Sequence, residues 1–321
     1  MSAPFTHRAT FTAMSVTIAI TGVGISPREH ERAMAHARVQ AEAWEERFSR
    51  FRPQSMLSRL NAASGGTCPV DETFLDVLTL AATAVTRTEG RFDPSILPAL
   101  EAAGYDRSIE RVLADPHAAG LTAPVAGAAG WRSVAIDREH LTVTLPPEMR
   151  IDLGGIAKGA FVDMLAAAFG DWPGGCVDAG GDLRVWGVPP SGTCWTTGIE
   201  DPARPGAVVA VIAQIDERWH GVATSAMNRR RWRAGDDERH HLIDPGTGRP
   251  LRTAIASVTA FAPTVAAAEV TTKAVLVASS RGEPLDPVDS AWAASVDVSG
   301  QMTIIQRSVD APTRVAATDC S

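Results

Sequence analysis

Apolar and β-branched residues alternate over residues 11–20, a period of two that predicts a strand. After Gly22 and Gly24 the period changes. Pro27 opens a stretch in which Met34, Ala37, Ala41, Trp44 and Phe48 recur at three- and four-residue steps, one apolar stripe on an otherwise charged helix. Residues 49–61 lose the period and are rich in Ser, Arg and Asn, which suits an ordered loop with a short helical turn. Asp71 reads as the cap of a second helix with Phe74, Val77, Leu78, Ala81 and Val85 inward, ended by Gly90, after which residues 91–94 turn the chain. Residues 107–130 are rich in Ala, Gly and Pro and read as a connector. Residues 131–145 read as a hairpin turning at 137–139.

Strands dominate the second half. Residues 176–187 read as one strand interrupted by Gly180 and Gly181, and residues 195–199, 208–215 and 221–232 as three more. Residues 240–248 form a short strand running into a Pro/Gly turn, and 257–261 another strand. Residues 265–279 are helical, and 293–306 form a hairpin around Ser299 and Gly300. Helices and strands mix without a βαβ rhythm. The class expected is therefore α+β with mainly antiparallel sheets, as a single domain over residues 1–310 and a loose tail at 311–321.

Chemistry concentrates where the pattern is too polar for its surroundings. In residues 151–165, Asp152 and the pair Gly154 and Gly155 precede an Ala-rich helix with Lys158 in its first turns. Bare backbone N–H groups, a positive helix end and one mobile cation suit a phosphate-bearing ligand, and a tight strand-to-helix turn would need the same glycines. The segment is neither a Walker A loop nor a Gly-x-Gly-x-x-Gly turn. Asp178 and Asp182 flank a glycine pair, where either a close approach or a β-bulge is expected. Thr224 and Ser225 put paired hydroxyls on a strand without a nucleophile elbow, and His241 stands three residues before Asp244, a base and a carboxylate ahead of a rigid turn.

The bulk numbers narrow the partners. A net charge of −7 over 321 residues argues against nucleic acid, and residues 229–231 are the one basic run. Cys68, Cys176, Cys194 and Cys320 fall in no zinc or disulfide spacing. No apolar run reaches a membrane span and no leader is visible, so a cytoplasmic protein is expected.

Taken in order, Ala13-Met14, Ser55-x-x-Ser-Arg-Leu-Asn61, Gly90-Arg-Phe-Asp-Pro94, Asp152-Leu-Gly-Gly-Ile-Ala-Lys-Gly159, Asp178-Ala-Gly-Gly-Asp182, Ala223-Thr-Ser225, His241-Leu-Ile-Asp-Pro245 and Ser257-Val-Thr resemble the FAD:protein FMN transferase family, the ApbE-like flavin transferases. The resemblance runs over nearly the whole chain. It implies an ApbE-like fold of two intertwined similar halves, with antiparallel sheets and flanking helices. It also implies an enzyme that cleaves the FAD pyrophosphate, releases AMP and attaches FMN by a phosphoester to a threonine of an acceptor flavoprotein, using Mg²⁺. A protein of this fold that only binds or hydrolyses FAD is the alternative.

The same resemblance implies roles. Met14 and Phe51 lie against the flavin, and Arg91, Phe92 and Asp93 line its pocket; the Thr224 and Ser225 hydroxyls are by their own chemistry suited to a phosphate or a flavin edge. Asp152 and Lys158 hold FAD, Ile243 touches it through its backbone, and His241 or Asp244 takes the threonine proton. The Gly155 carbonyl falls where the family supplies a metal ligand. The closing helix departs from the family pattern: Glu269 replaces an Asp and Lys273 a Thr, and an ammonium cannot ligate Mg²⁺. Either a site survives on Gly155, Glu269 and Thr272, or Lys273 replaces the cation.

Overall fold

The computed structural model describes residues 5–115, 131–214, 220–234, 237–288 and 292–306. Its frame is an eight-stranded sheet whose strands follow one another in chain order, all neighbours antiparallel. These are β1 (Thr6–Ala13), β2 (Val16–Val23), β3 (Gly174–Ala179), β4 (Asp182–Gly187), β5 (Gly221–Ala226), β6 (Ile255–Ala262), β7 (Trp292–Asp297) and β8 (Met302–Ile305). The helices used below are α1 (Pro27–Phe48), α2 (Met56–Ala62), α3 (Glu72–Arg87), α4 (Ala157–Ala168) and α5 (Val265–Arg281). Each half of the sheet is two strands, a helix, then two strands: β1-β2-α4-β3-β4 and β5-β6-α5-β7-β8. This is the α+β architecture of similar halves that the sequence reading expected.

Alternation along the strands sorts the core. Ala223, Ala260 and Ala293 belong to the main core beneath the helices. Val222, Phe261 and Trp292 point the other way and bury Ile199, Ala210 and Ile212 of a two-stranded hairpin, Trp195–Glu200 with Val208–Gln214. Phe261 and Trp292 stack there with centroids 4.2 Å apart. Small residues face the helices because the helices must come close to the sheet.

The two helices bind each other at their N-terminal ends. The Asp163 carboxylate of α4 accepts the Val265 and Ala266 N–H groups that open α5, both at 3.0 Å. The Glu269 carboxylate of α5 accepts the Gly159 N–H of α4 at 2.8 Å. Each helix thereby satisfies the other's unpaired first-turn donors. Gly159 is required for this: a Cβ there would stand 2.7 Å from the Ala266 nitrogen.

Three expectations change. Residues 11–20 are two strands, not one, because Met14 and Ser15 both take positive φ (52° and 58°) and close a two-residue hairpin. The apolar phase slips from odd positions (Phe11, Ala13) to even ones (Met14, Val16, Ile18, Ile20) at this turn, and a single-strand reading passes over that slip. Residues 176–187 likewise fold back at Gly180 and Gly181 (φ 66° and 96°), so the glycine pair is a turn and neither a bulge nor a strand interior. Residues 221–232 break after Ala226, and Arg231–Ala234 pairs with Asp237–His240 in a separate ribbon. The expected tail lies outside the described residues, as does most of the connector.

Two insertions build the rest. Between β2 and α4 lie α1, α2, α3 and a small sheet of Thr67–Pro69, Ala135–Asp137 and Thr142–Thr144. Between β5 and β6 lies the ribbon with a second short pair, Ile243–Asp244 and Arg249–Pro250.

Candidate active site

Both insertions and the N-terminal end of α4 meet around a cavity of about 980 Å³. The chain before α4 is held rigidly. Asn61 donates to the Ile151 carbonyl at 2.9 Å and accepts its N–H at 2.8 Å, while the Asp152 N–H donates to the Pro94 carbonyl at 2.8 Å. Trp44 of α1 donates to the Ala157 carbonyl at 3.0 Å. These bonds fix the direction in which Gly154 and Gly155 present their backbone.

At the cavity floor, Lys158 binds Asp182 in direct contact and lies 3.2 Å from Glu269 Oε1. The Lys273 ammonium donates to the Glu269 carbonyl at 3.1 Å and lies 4.0 Å from Oε1. Burial lowers the pKa of both lysines, opposed by Glu269 and reinforced by the nearby charge of Arg230. Burial alone would raise the pKa of Glu269, but Lys158, Lys273 and the Gly159 N–H outweigh it and keep it ionised. The Asp182 Oδ1 accepts the Thr224 N–H at 3.0 Å. Lys158, Lys273 and Arg230 thus face Asp182 and Glu269, and Asp152, paired with Arg50, also acts on Lys273.

Above the floor, Arg50 pairs with Asp152 at 2.6 Å, and its guanidinium lies over the rings of Phe51 and Tyr105 at 4.2 and 4.5 Å. Tyr105 in turn stacks on Trp232 of the second insertion. The Arg50 Nη2 is buried with no partner, so one strong donor stays uncommitted beside the cavity. Met14, half-buried at the hairpin tip, has its N–H held by Glu45 at 2.5 Å and lines the cavity with Phe51 and Phe92. Arg91 is tied to Glu283 at 2.7 Å. Asp93 accepts the Ser95 N–H at 2.8 Å, and burial pushes its pKa up against that bond.

The second insertion supplies His241, whose pKa is driven well below the ordinary value by burial and then by the charges of Arg230, His240 and Lys273. Its imidazole is neutral, and its Nδ1 has no hydrogen-bond partner. Ile243 also lines the cavity.

The sequence-predicted residues therefore converge, with two exceptions. Asp244 is held by Arg281, at 2.5 and 3.1 Å to one oxygen, and by the Gly246 N–H at 2.8 Å. Burial would raise its pKa, but these partners leave it lowered, and it stands outside the cavity lining. Its Oδ1 locks the turn after His241. Thr272 is fully buried off the cavity wall, its hydroxyl bonded to Ser225 at 2.7 Å and to the Glu269 carbonyl at 2.8 Å. Ser225 and Thr224 reach the wall, with the Thr224 hydroxyl shared with Thr259 at 2.9 Å. Arg50, Tyr105, Trp232 and Arg230 were missed. Tyr105 carried a usable signal as the single tyrosine of the chain.

The donors expected for Mg²⁺ fit that ion poorly. Mg²⁺ wants oxygens in near-octahedral array. Here Thr272 is spent, both Glu269 oxygens have partners, and the Lys273 stem lies against Gly155, where a Cβ would meet its Cε at 3.0 Å. Among the described residues no group of His, Cys, Asp and Glu side chains forms a metal cluster.

Residues 12–285 match the model of a family described as the ApbE family. Over 258 residues the chain is 29% identical to an FAD:protein FMN transferase of Salmonella typhimurium, covering 78% of this chain and 72% of the relative. It is 26% identical to one of Chlamydia trachomatis, covering 89% and 88%. Among solved structures, the ApbE protein of Thermotoga maritima superposes with a TM-score of 0.79 at 25% identity, covering 94% of this chain and 97% of that one.

Proposed function

This chain belongs to the ApbE family, and we propose that it is an FAD:protein FMN transferase that uses the cavity at the start of α4 to cleave FAD and pass FMN to a threonine of an acceptor flavoprotein. The observation that carries this reading is the cation cluster of Lys158, Lys273 and Arg230 at the floor of a cavity near the upper end of the ~300–1,000 Å³ range of small-molecule sites. An anionic pyrophosphate supplies the charge that cluster lacks. Met14, Phe51 and Phe92 supply apolar and polarizable surface for the flavin ring.

The chemistry is a displacement at phosphorus. The threonine oxygen forms a bond to the FMN phosphorus as the bond to the bridging oxygen breaks, and that oxygen leaves on AMP with the electron pair. The threonine proton goes to His241, which is neutral and carries an uncommitted Nδ1. Little covalent work falls to the protein in such a transfer: it positions the groups and neutralises charge. Asp152, tied to Arg50 and to the Gly154 N–H at 2.5 Å, shapes the loop beside the phosphates.

Incubation with FAD and a threonine-bearing acceptor domain tests this. Flavin fluorescence that stays on the acceptor through a denaturing gel, with AMP released, is the expected result. AMP with free FMN and an unlabelled acceptor replaces the reading by FAD hydrolysis, which the altered α5 keeps in view. Binding with no product leaves only a flavin carrier.

A further inference from the structure

We propose that the Lys273 ammonium takes the place of a divalent cation at the FAD pyrophosphate, so that this chain binds and cleaves FAD without a metal ion. The proposal rests on the FAD reading of the cavity given above.

The position of Lys273 is the first argument. Its stem crosses the Cα of Gly155, with Cε and Cδ at 3.0 and 3.3 Å from where a Cβ would stand, and so fills the ground beside the glycine turn that faces the ligand. The ammonium has three N–H donors. One is committed to the Glu269 carbonyl at 3.1 Å, and the Glu269 carboxylate lies 4.0 Å away. The remaining donors are available to non-bridging phosphate oxygens, as charge-assisted bonds of the kind lysine makes to phosphate.

Oxygen supply is the second argument. Glu269, the one carboxylate of α5 at the cavity, gives Oε2 to the Gly159 N–H and Oε1 to Lys158. Withdrawing it for a metal would strip a buried first-turn donor of α4. Thr272 is fully buried and shares its hydroxyl with Ser225. The two side chains of α5 expected to ligate a hard cation are thus both committed elsewhere.

Charge is the third. Lys158 already meets Lys273 and Arg230 as like charges, and Asp182 and Glu269 are the carboxylates that hold it. A divalent ion would be placed among cations that already act as like charges on one another. A pyrophosphate in the same place meets cations on several sides, which is the electrostatic part of what a metal gives to phosphoryl transfer.

Calorimetric titration of FAD into the wild-type protein, once with EDTA and once with Mg²⁺, is the test, with AMP release in the presence of a threonine-bearing acceptor domain followed under both conditions. The two affinities should agree within about twofold and AMP release should persist in EDTA. An FAD affinity that falls about tenfold or more on chelation, or AMP release lost in EDTA, overturns the proposal. FAD that fails to bind in either buffer overturns the FAD reading itself and this proposal with it; binding that requires Mg²⁺ leaves the FAD reading standing. Lys273→Thr sharpens the result. That variant should bind FAD about tenfold more weakly in EDTA, recover with Mg²⁺, and take up Mn²⁺ visible by electron paramagnetic resonance where the wild type does not. Stoichiometric Mn²⁺ uptake by the wild type alone overturns the proposal, and it decides the matter even if the variant does not fold.

Discussion

At the residue scale, Lys158 and His241 divide the work of the site. Lys158 is the partner of two buried carboxylates, so its charge is structural as well as functional. Lys158→Met leaves Asp182 and Glu269 facing each other's field without their shared cation. The expected cost is about 3 kcal/mol of stability, read from denaturant unfolding, together with at least about tenfold weaker FAD binding. A variant that keeps both properties would show the ammonium to be idle. His241 makes a pH prediction. In the unfolded chain its pKa is about 6.5, while burial and the charges of Arg230, His240 and Lys273 hold it well below that in the fold. Above about pH 6.5 neither state binds the proton; below it only the unfolded state does, so stability falls as the pH drops toward the folded pKa. His241→Asn should therefore lose stability less steeply on acidification, by up to about 1.4 kcal/mol per pH unit. Melting curves for wild type and variant that run parallel from neutral to acid pH would count against a buried neutral imidazole.

At the element scale, the site depends on how closely α4 meets α5 and how firmly the chain before α4 is held. Gly159→Ala puts a methyl carbon 2.7 to 2.8 Å from the Ala266 and Val265 backbone, which cannot yield as a side chain would. The helices must part, at an expected cost of about 1–3 kcal/mol, and the Glu269 cap on Gly159 lengthens with them. A lowered melting temperature and weaker FAD binding should appear together; a wild-type melting temperature would contradict the close approach. Asn61→Leu removes both hydrogen bonds to Ile151 and should cost about 2 kcal/mol. Because Asn61 lies behind the loop and outside the cavity lining, FAD affinity should fall less than stability does.

At the scale of the whole molecule, the halves are fastened by the reciprocal caps of Asp163 and Glu269 and by one continuous sheet. Neither half can present its helix end without the other. Denaturant unfolding should therefore be a single transition. Tryptophan fluorescence, with Trp44 and Trp172 reporting on the first part of the chain and Trp292 on the last, should coincide with far-ultraviolet circular dichroism. Two separated transitions would show the halves to be independent. The fold also explains how a chain of net charge −7 holds an anion: Lys158, Lys273 and Arg230 line one cavity, and the overall charge says nothing about that place.

Local chemistry was readable along the chain. The stripes of α1 and α3, the cap Asp71, the helix-opening Pro27 and the glycine turn before Lys158 each rest on residues a few positions apart, and the sequence determined them. Resemblance in order then brought Met14, Phe92, Asp152, Lys158 and His241 to one cavity. The reversal at Met14 and Ser15 escaped because no Gly, Asn, Asp or Pro marks it, and the one-residue slip in apolar phase at Ala13 and Met14 is a weak signal. Asp244 and Thr272 looked like functional groups because their types and spacing allow it. What removed them is a long-range partner, Arg281 in one case and Ser225 in the other, and no local pattern encodes it. The same holds for Lys273. Its identity was visible as a departure, but only the fold lays its stem over Gly155 and its ammonium beside Glu269. The sequence decided which charges the chain carries; the tertiary structure decided which of them share a low-dielectric space, because burial and pairing depend on neighbours a hundred residues away.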